Sequence, residues 1–477
     1  MSSPFSFLEG IKSSEIITPF IPYSYIFDQL NGEDLLGTDG RYYLNGGMTP
    51  NNAIVGGSNT QKSGLLVLLM GRALARINCS AGFFFDIEKT FGVSRLAAMI
   101  DREIGIPSYF QHNLLDKRFF YFNGNEYDGT DVHKFFIEKN QLIKDEMKKN
   151  KNLKVATPFL SNDGKSPLMM LPPLIPHIDS GTEMNFAKAA KDFREGDVDE
   201  GGAKKTRDMV FGNLKRIVHS DADQLGGEVG MYQSWTAQVQ DIINMTGQPL
   251  EKQTTFLRQG KKIAGPKTMK NLPALGIEII RGAPLKNGQE WLYPDPYGKD
   301  EFVTDDGKAS PDLMEYFVSP YRNKNGLSGG HTTFIGSQYL GIQEDLTAYH
   351  NLKKHKFFGY DSDNTRSHSL VLLPDLKLGR TTIRGQINED QRLRRALCIT
   401  YQYMNKIKYD LNLPMRYRLS IEEFFERLNK VMDWEWVLNE TVDFWFLNPD
   451  IKKTTISTFE LMRIAIGEGS PDFKAKK

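Results

Sequence analysis

Eight consecutive residues, Gly56-Gly57-Ser58-Asn59-Thr60-Gln61-Lys62-Ser63, have the form G-x-x-x-x-Q-K-S. Small residues let backbone N–H groups converge on an anion, a lysine supplies charge for the terminal phosphates, and an adjacent hydroxyl suits Mg²⁺. All are present here, with Gln61 where such loops place a second glycine. Twenty-six residues after Lys62, the run Phe83-Phe84-Phe85-Asp86-Ile87-Glu88 puts a carboxylate just past an apolar stretch. There Glu88 can orient and deprotonate an attacking water. Leu174-Ile175-Pro176-His177-Ile178-Asp179-Ser180 ends another apolar stretch in Asp179, which with Ser63 suits a Mg²⁺ shell.

These residues need elements that bring them together. Ala53 to Val55 reads as a short strand, Gly56 to Lys62 as a polar turn, Ser63 to Ile77 as a helix, and Phe83 to Phe85 as a second strand. Strand, loop, helix and strand in that order begin a parallel α/β sheet, whose strand ends meet at one edge. Leu174 to Ile178 supplies a further strand. Residues 1–48, aromatic and glycine-rich, read as an extended arm, and Lys139 to Lys154 as a solvated helix face. Lys188 to Asp208, charged and without periodicity, reads as a mobile loop, followed by a helix over 209–219 and strands near Val229 to Trp235 and over 276–281. After about Ile342 the chain turns to charged helices and an aromatic-rich end, whose tryptophans read as core or interface.

The chain has 477 residues, a soft prior of about three domains. Sixty basic residues against fifty-nine acidic ones exclude a globally basic binder but leave room for a local basic groove. Cys79 and Cys398 are the only cysteines, which excludes a disulfide framework and a multi-cysteine zinc site and points to a reducing, cytoplasmic setting. The start carries no secretory pattern, and no apolar run reaches the ~18 residues of a membrane span. We expect no membrane partner.

With these motifs the sequence resembles the RecA family, and within it the UvsX-like recombinases of large tailed phages, which also tolerate a bulky residue at the position of Gln61. Gly46-Gly47-Met48-Thr49-Pro50 is similar to the family's lead-in, and Trp235-Thr236-Ala237-Gln238 closes a strand where the family places a sensor of the γ-phosphate. Arg322-Asn323-Lys324, followed by Phe334 to Ile342, resembles the basic-Asn-basic turn and the glycine-bearing strand after it. The resemblance covers roughly residues 40–345. It implies a RecA-like P-loop ATPase core, an α/β fold with a central, mostly parallel twisted sheet. It further implies ATP and Mg²⁺ as ligands and catalytic roles for Lys62, Glu88, Gln238, Arg322 and Lys324, the last two reaching the γ-phosphate of a neighbouring subunit. The expected organisation is an N-terminal arm or oligomerisation segment (1–45), the core (46–345) with an insertion over about 108–165, and a mainly helical C-terminal domain (346–477). The basic end, Lys474 to Lys477, departs from the acidic tail of many relatives.

The resemblance also places two DNA-contacting loops. The first, about 182–207, mixes both signs of charge. The second, about 245–271, sets Lys252, Arg258, Lys261, Lys262, Lys267 and Lys270 against Glu251 alone, with Phe256, Leu257 and Met269 between them. Cations neutralise phosphates, and apolar or aromatic side chains stack on bases. The implied function is an ATP-dependent recombination and repair protein, a DNA-dependent ATPase. It would form a homo-oligomeric filament on single-stranded DNA and then engage duplex DNA. The alternatives are a hexameric, ring-forming replicative helicase of DnaB type and a non-hydrolysing RecA-fold mediator.

Overall fold

The computed structural model describes residues 14–469 apart from 90, 188, 192–199, 243–255, 289, 297–300, 304–308, 327, 330 and 360–366. Phe83, Phe84 and Phe85 lie in one strand, which sends successive side chains to opposite faces. Phe84 stacks on Phe91 on one face, with ring centroids 4.0 Å apart. Phe83 and Phe85 turn to the other face and stack on Phe120 at 5.3 Å and Phe122 at 4.6 Å, which are their cross-strand partners. A strand apolar on both faces must be covered on both, the condition met by a parallel sheet between helical layers.

That sheet has ten strands. In chain order they are β1 (Asn51–Gly56), β2 (Ala81–Asp86), β3 (Phe119–Asn123), β4 (Leu174–Asp179), β5 (Gln233–Asp241), β6 (Lys261–Ile263), β7 (Leu275–Pro284), β8 (Leu313–Asn323), β9 (Thr332–Ser337) and β10 (Gly341–Ile342). Their spatial order is β10-β9-β8-β7-β1-β5-β4-β2-β3, with β6 paired to β5 alone. Pairing is parallel from β3 through β7 along this order and antiparallel among β7, β8, β9 and β10. The protein is therefore mixed α/β with a large, mostly parallel central sheet.

Helix α1 (Lys62–Arg76) and α2 (Val93–Ile104) pack on the Phe84 face, while α3 (Gly129–Lys149) and α4 (Glu200–Glu228) cover the other. Beyond the sheet come α5 (Glu344–Lys354), α6 (Ile383–Glu389), α7 (Gln391–Tyr409), α8 (Ile421–Val431), α9 (Trp434–Glu440) and α10 (Thr458–Ala465). Trp434 and Trp445 are buried in the core that these helices share with α1. No helix among the described residues is long and apolar enough to cross a membrane.

Residues 108–165, expected as an insertion, contain β3 and α3, with the aromatic run at Phe119 to Phe122 paired to β2. Other expectations need correction. The stretch expected as a mobile loop over 188–208 is helical from Glu200 onward. The next strand begins at Gln233 rather than near Val229, because Gly230, at φ 68°, closes the preceding helix with a turn. The described part of the arm is not free-standing. Phe20, Ile21, Tyr23, Ile26 and Phe27 are buried, and Glu33–Leu36 forms a hairpin with Tyr42–Asn45.

Arginines of α1 hold that segment. Arg72 Nη1 donates to the Tyr23 carbonyl at 2.9 Å and Arg76 Nη1 to that of Pro22 at 3.1 Å. Both arginines also pair with Glu103, and Arg72 with Glu344 at 2.6 Å. Against the penalty of burial, the two arginines hold the Glu103 carboxyl at about 2. At the same, C-terminal end of α1, the Leu447 N–H donates to the Arg76 carbonyl at 2.8 Å and Asn448 Nδ2 to that of Ala75 at 2.6 Å. The C-terminal region thus caps the helix that starts at the candidate phosphate loop.

Asp345 on α5 accepts from the Tyr25 hydroxyl at 2.9 Å, and burial, then the charge of Glu344, pushes its carboxyl up to about 6. Protonated Asp345 is thus favoured by folding. Its contribution is fully present below the ordinary aspartate pKa and is lost as pH rises through about 6. Asp345→Asn should flatten the decline across that window and be more stable than the parent at neutral pH by about 2–3 kcal/mol. Urea midpoints of both proteins against pH check this.

Candidate active site

Gly56 ends β1 beside Gln238 of β5 and Ile279 of β7. A Cβ there would lie 2.5 Å from the Ile279 carbonyl oxygen and 2.6 Å from Thr60 Oγ1, so only glycine lets the chain leave the strand at this point. The loop turns through Asn59 at φ 56° and Gln61 at φ 62°, and the Thr60 hydroxyl donates to the Gly57 carbonyl at 2.9 Å. Ser58 and Asn59 face solvent. The N-cap residue Gln61 makes no side-chain cap to the first N–H groups of α1, which leaves the positive end of the helix open to an anion among the described residues.

Lys62 is buried, and its Nζ donates to the Gly57 carbonyl at 2.6 Å. Burial lowers its pKa, while Glu88 and Asp179 pull it back up. Asp179, at the end of β4, accepts from the Thr236 hydroxyl at 2.5 Å through Oδ1, and its Oδ2 is buried without a hydrogen-bond partner. Burial pushes this carboxyl up against the opposing pull of the Ser63 and Thr236 hydroxyls. Glu88 lies just beyond β2. Its N–H donates to the Asp179 carbonyl at 3.0 Å and its Oε1 accepts from the Ser180 hydroxyl at 2.6 Å. Asp86 has a different task, accepting from the Phe91 N–H at 2.9 Å and the Tyr121 hydroxyl at 2.7 Å to shape the turn carrying Glu88.

One ammonium, two carboxylates, a hydroxyl and an uncapped helix N-terminus thus meet at a single sheet edge. No protein-family model matches the chain, and no curated protein is significantly similar to it in sequence. The Ser63 hydroxyl and the orphaned Asp179 oxygen are hard oxygen donors of the kind Mg²⁺ takes, so the residues present fit that ion. Gln238, half-buried, sits level with Gly56. Its N–H donates to Thr182 Oγ1 and its carbonyl accepts from the Ala264 N–H, both at 2.8 Å.

Arg322 and Lys324 are not brought to this edge. Because β8 runs antiparallel, Arg322 pairs with Gly276 near the start of β7, level with Ala53. Three residues of strand, about 10 Å, separate that level from Gly56. The Arg322 Nε donates to the Pro273 carbonyl at 2.7 Å. Lys324 is exposed and lines an open cavity of ≈ 330 Å³ with Asn51, Asp223 and Asn325. Within one chain neither cation meets the loop, so a role there requires a second subunit.

The basic segment is only partly a basic surface. Lys252 lies outside the described residues. β5 and β6 form a hairpin that leaves the sheet next to Gln238, and Lys261 pairs with Asp241 at 2.6 Å across it. Arg258 Nε pairs with the fully buried Glu278 at 2.6 Å. Phe256, Lys262 and Lys267 are exposed and Lys270 is half-buried. Leu257 and Met269, expected to interleave as base-stacking groups, are buried in the core of the α3–α4 face. Sequence reasoning missed Ser180, Thr182, Thr236 and Glu278. The first three stand within three residues of Asp179 or Gln238, which is a local signal. Glu278 sits within the strand read over 276–281, with nothing local to mark its partner.

Arg258→Ala should leave Glu278 as a buried carboxylate without its cation and lower stability by about 1–3 kcal/mol. Adding Glu278→Gln should restore part of the loss, and urea unfolding of the single and double variants reads the coupling.

Proposed function

We propose that the protein is an ATP-dependent DNA recombinase of RecA type, forming a filament on single-stranded DNA and promoting homologous pairing and strand exchange with a duplex. The observation that carries this reading is the convergence of Lys62, Ser63, Glu88 and Asp179 at one edge of a mostly parallel sheet, with the β5–β6 hairpin leaving the same edge. ATP is the substrate. Its phosphates would lie along Gly56 to Ser63, against the open N-terminus of α1 and the Lys62 ammonium. Mg²⁺ held by Ser63 and Asp179 would offset charge on the β- and γ-phosphate oxygens. Glu88, fixed by the Ser180 hydroxyl, takes a proton from the water that attacks the γ-phosphorus, and the bond to the bridging oxygen breaks to give ADP and phosphate.

In this reading Gln238 reports the state of the γ-phosphate to the hairpin it roots. Lys262, Lys267, Lys270 and Phe256, with Lys252, contact DNA, while Arg258 and Lys261 stay paired with Glu278 and Asp241. Arg322 and Lys324 would serve the site of the next subunit, stabilising negative charge as it develops.

ATP turnover with and without single-stranded DNA tests the reading. We expect a low basal rate raised at least about tenfold by DNA, its loss in Lys62→Ala, and a fall of roughly 10²-fold or more in Glu88→Gln with nucleotide binding kept. Electron microscopy of the active form should show filaments, whereas rings would favour the helicase. Absent turnover with DNA binding preserved would make the protein a RecA-fold binding module.

A further inference from the structure

We propose that a buried relay from the C-terminal helices, Arg384–Asp312–Ser337, positions the phosphate loop through Gln61. This rests on the reading that the loop binds nucleotide.

Gln61 occupies the left-handed region at φ 62°, where a residue with a Cβ is strained. Glycine would sit there without strain, so the glutamine side chain needs an anchor. It has one in β9. Gln61 Nε2 donates to the Ser337 carbonyl at 3.4 Å, and its Cγ lies 3.2 Å from where a Cβ on Gly336 would stand. Any larger residue at 336 would press on the Tyr316 ring, whose Cε2 lies 2.8 Å from that Cβ, and then on the glutamine. The Tyr316 hydroxyl of β8 also interacts with the Gln61 side chain.

The Ser337 end is itself fixed from beyond the sheet. The Ser337 hydroxyl donates to Asp312 Oδ1 at 2.6 Å and accepts from the N–H groups of Tyr339 at 3.1 Å and Leu340 at 2.9 Å. Asp312 is buried, and its Oδ2 pairs with Arg384 Nη2 at 3.0 Å. Arg384, on α6, is also buried, with Asp295 at 2.8 Å from the same nitrogen. The relay therefore runs through buried groups whose hydrogen bonds water cannot replace without cost. Arg95 of α2 donates to the Gln338 carbonyl of the same turn at 3.0 Å. Arg384, Asp312 and Ser337 are positioning residues: their sole route to the loop in this relay is the side chain of Gln61.

That property sets the test. Affinity for a fluorescent N-methylanthraniloyl-ATP with Mg²⁺, and the melting temperature, are measured for the parent, Ser337→Ala, Arg384→Lys, Gln61→Gly, and each of the first two combined with Gln61→Gly. We expect Ser337→Ala to weaken binding about tenfold and Arg384→Lys about three- to fivefold. Each should weaken it less than about twofold when Gln61→Gly is already present. Melting-temperature losses should be the same in both backgrounds, which separates positioning from simple loss of stability. Equal affinity losses in the two backgrounds, or none in either, overturn the relay. Should Ser337→Ala fail to fold, the Arg384→Lys pair makes the same comparison. A parent that binds no nucleotide overturns the phosphate-loop reading instead, an outcome recognisable before any variant is made.

Discussion

Lys62 depends on the two carboxylates beside it. Burial disfavours the charge on Lys62 and on Asp179; Glu88 and Asp179 restore part of it to Lys62, while Asp179 is helped by the Ser63 and Thr236 hydroxyls and by Lys62 and opposed by Glu88. A lone ammonium or carboxylate at this depth would lose its charge, and with it any use toward phosphate. The three must arrive together, from segments separated by up to about a hundred residues, and must stay together. Parallel strands meet this requirement because their carboxyl ends fall at one edge. From β1 to β5 each parallel step in turn uses a crossover helix, and the helices bury both faces of the sheet. The stacked phenylalanines of β2 and β3 are thus a consequence of the charge cluster's geometry as much as a source of stability.

Helix α1 carries that constraint into the rest of the chain. Its N-terminus must present N–H groups without wandering, yet those groups cannot be capped if they are to serve an anion. The fixing is done elsewhere along the helix. Arg72 and Arg76 tie it to the N-terminal segment and α2, and Asn448 and Leu447 satisfy carbonyls of its last turn. A helix held at its far end and along its side can leave its first turn open at small cost. The N- and C-terminal segments, distant in sequence from the loop, therefore bear on it directly.

The candidate site was legible where its signals are local. A glycine-opened turn before an apolar helix, and acids closing apolar runs, located Gly56 to Ser63, Glu88 and Asp179 within a few residues of the observed element ends. What stayed hidden is what only pairing decides. The strand at Phe119 to Phe122 resembles any aromatic stretch until β2 is laid beside it. Arg258 reads as a free cation until β7 brings a buried Glu278 to it, and the place of Arg322, level with the start of β7 and away from the loop, follows only from the antiparallel run of β8. Leu257 and Met269 failed for the converse reason, since a basic segment can still send its apolar residues inward. Charge composition describes a segment, whereas burial is settled by the segment's neighbours.

The same pairings bear on how the protein would hold DNA. With Arg258 committed to Glu278 and Lys261 to Asp241, the exposed cations of the described hairpin and the turn after it come down chiefly to Lys262 and Lys267. Two or three phosphate contacts per subunit release few counterions and give weak binding at physiological salt. Strong attachment would then have to come from many subunits sharing one strand, each raising the effective concentration of the next. A filament would satisfy that need, and on the proposed reading it would also bring the edge that carries half-buried Arg322 and exposed Lys324 to another subunit's loop. On that reading, weak contacts in each copy and a nucleotide site completed by a second subunit lead to the same conclusion. Assembly, rather than the affinity of the single chain, would control when DNA is held.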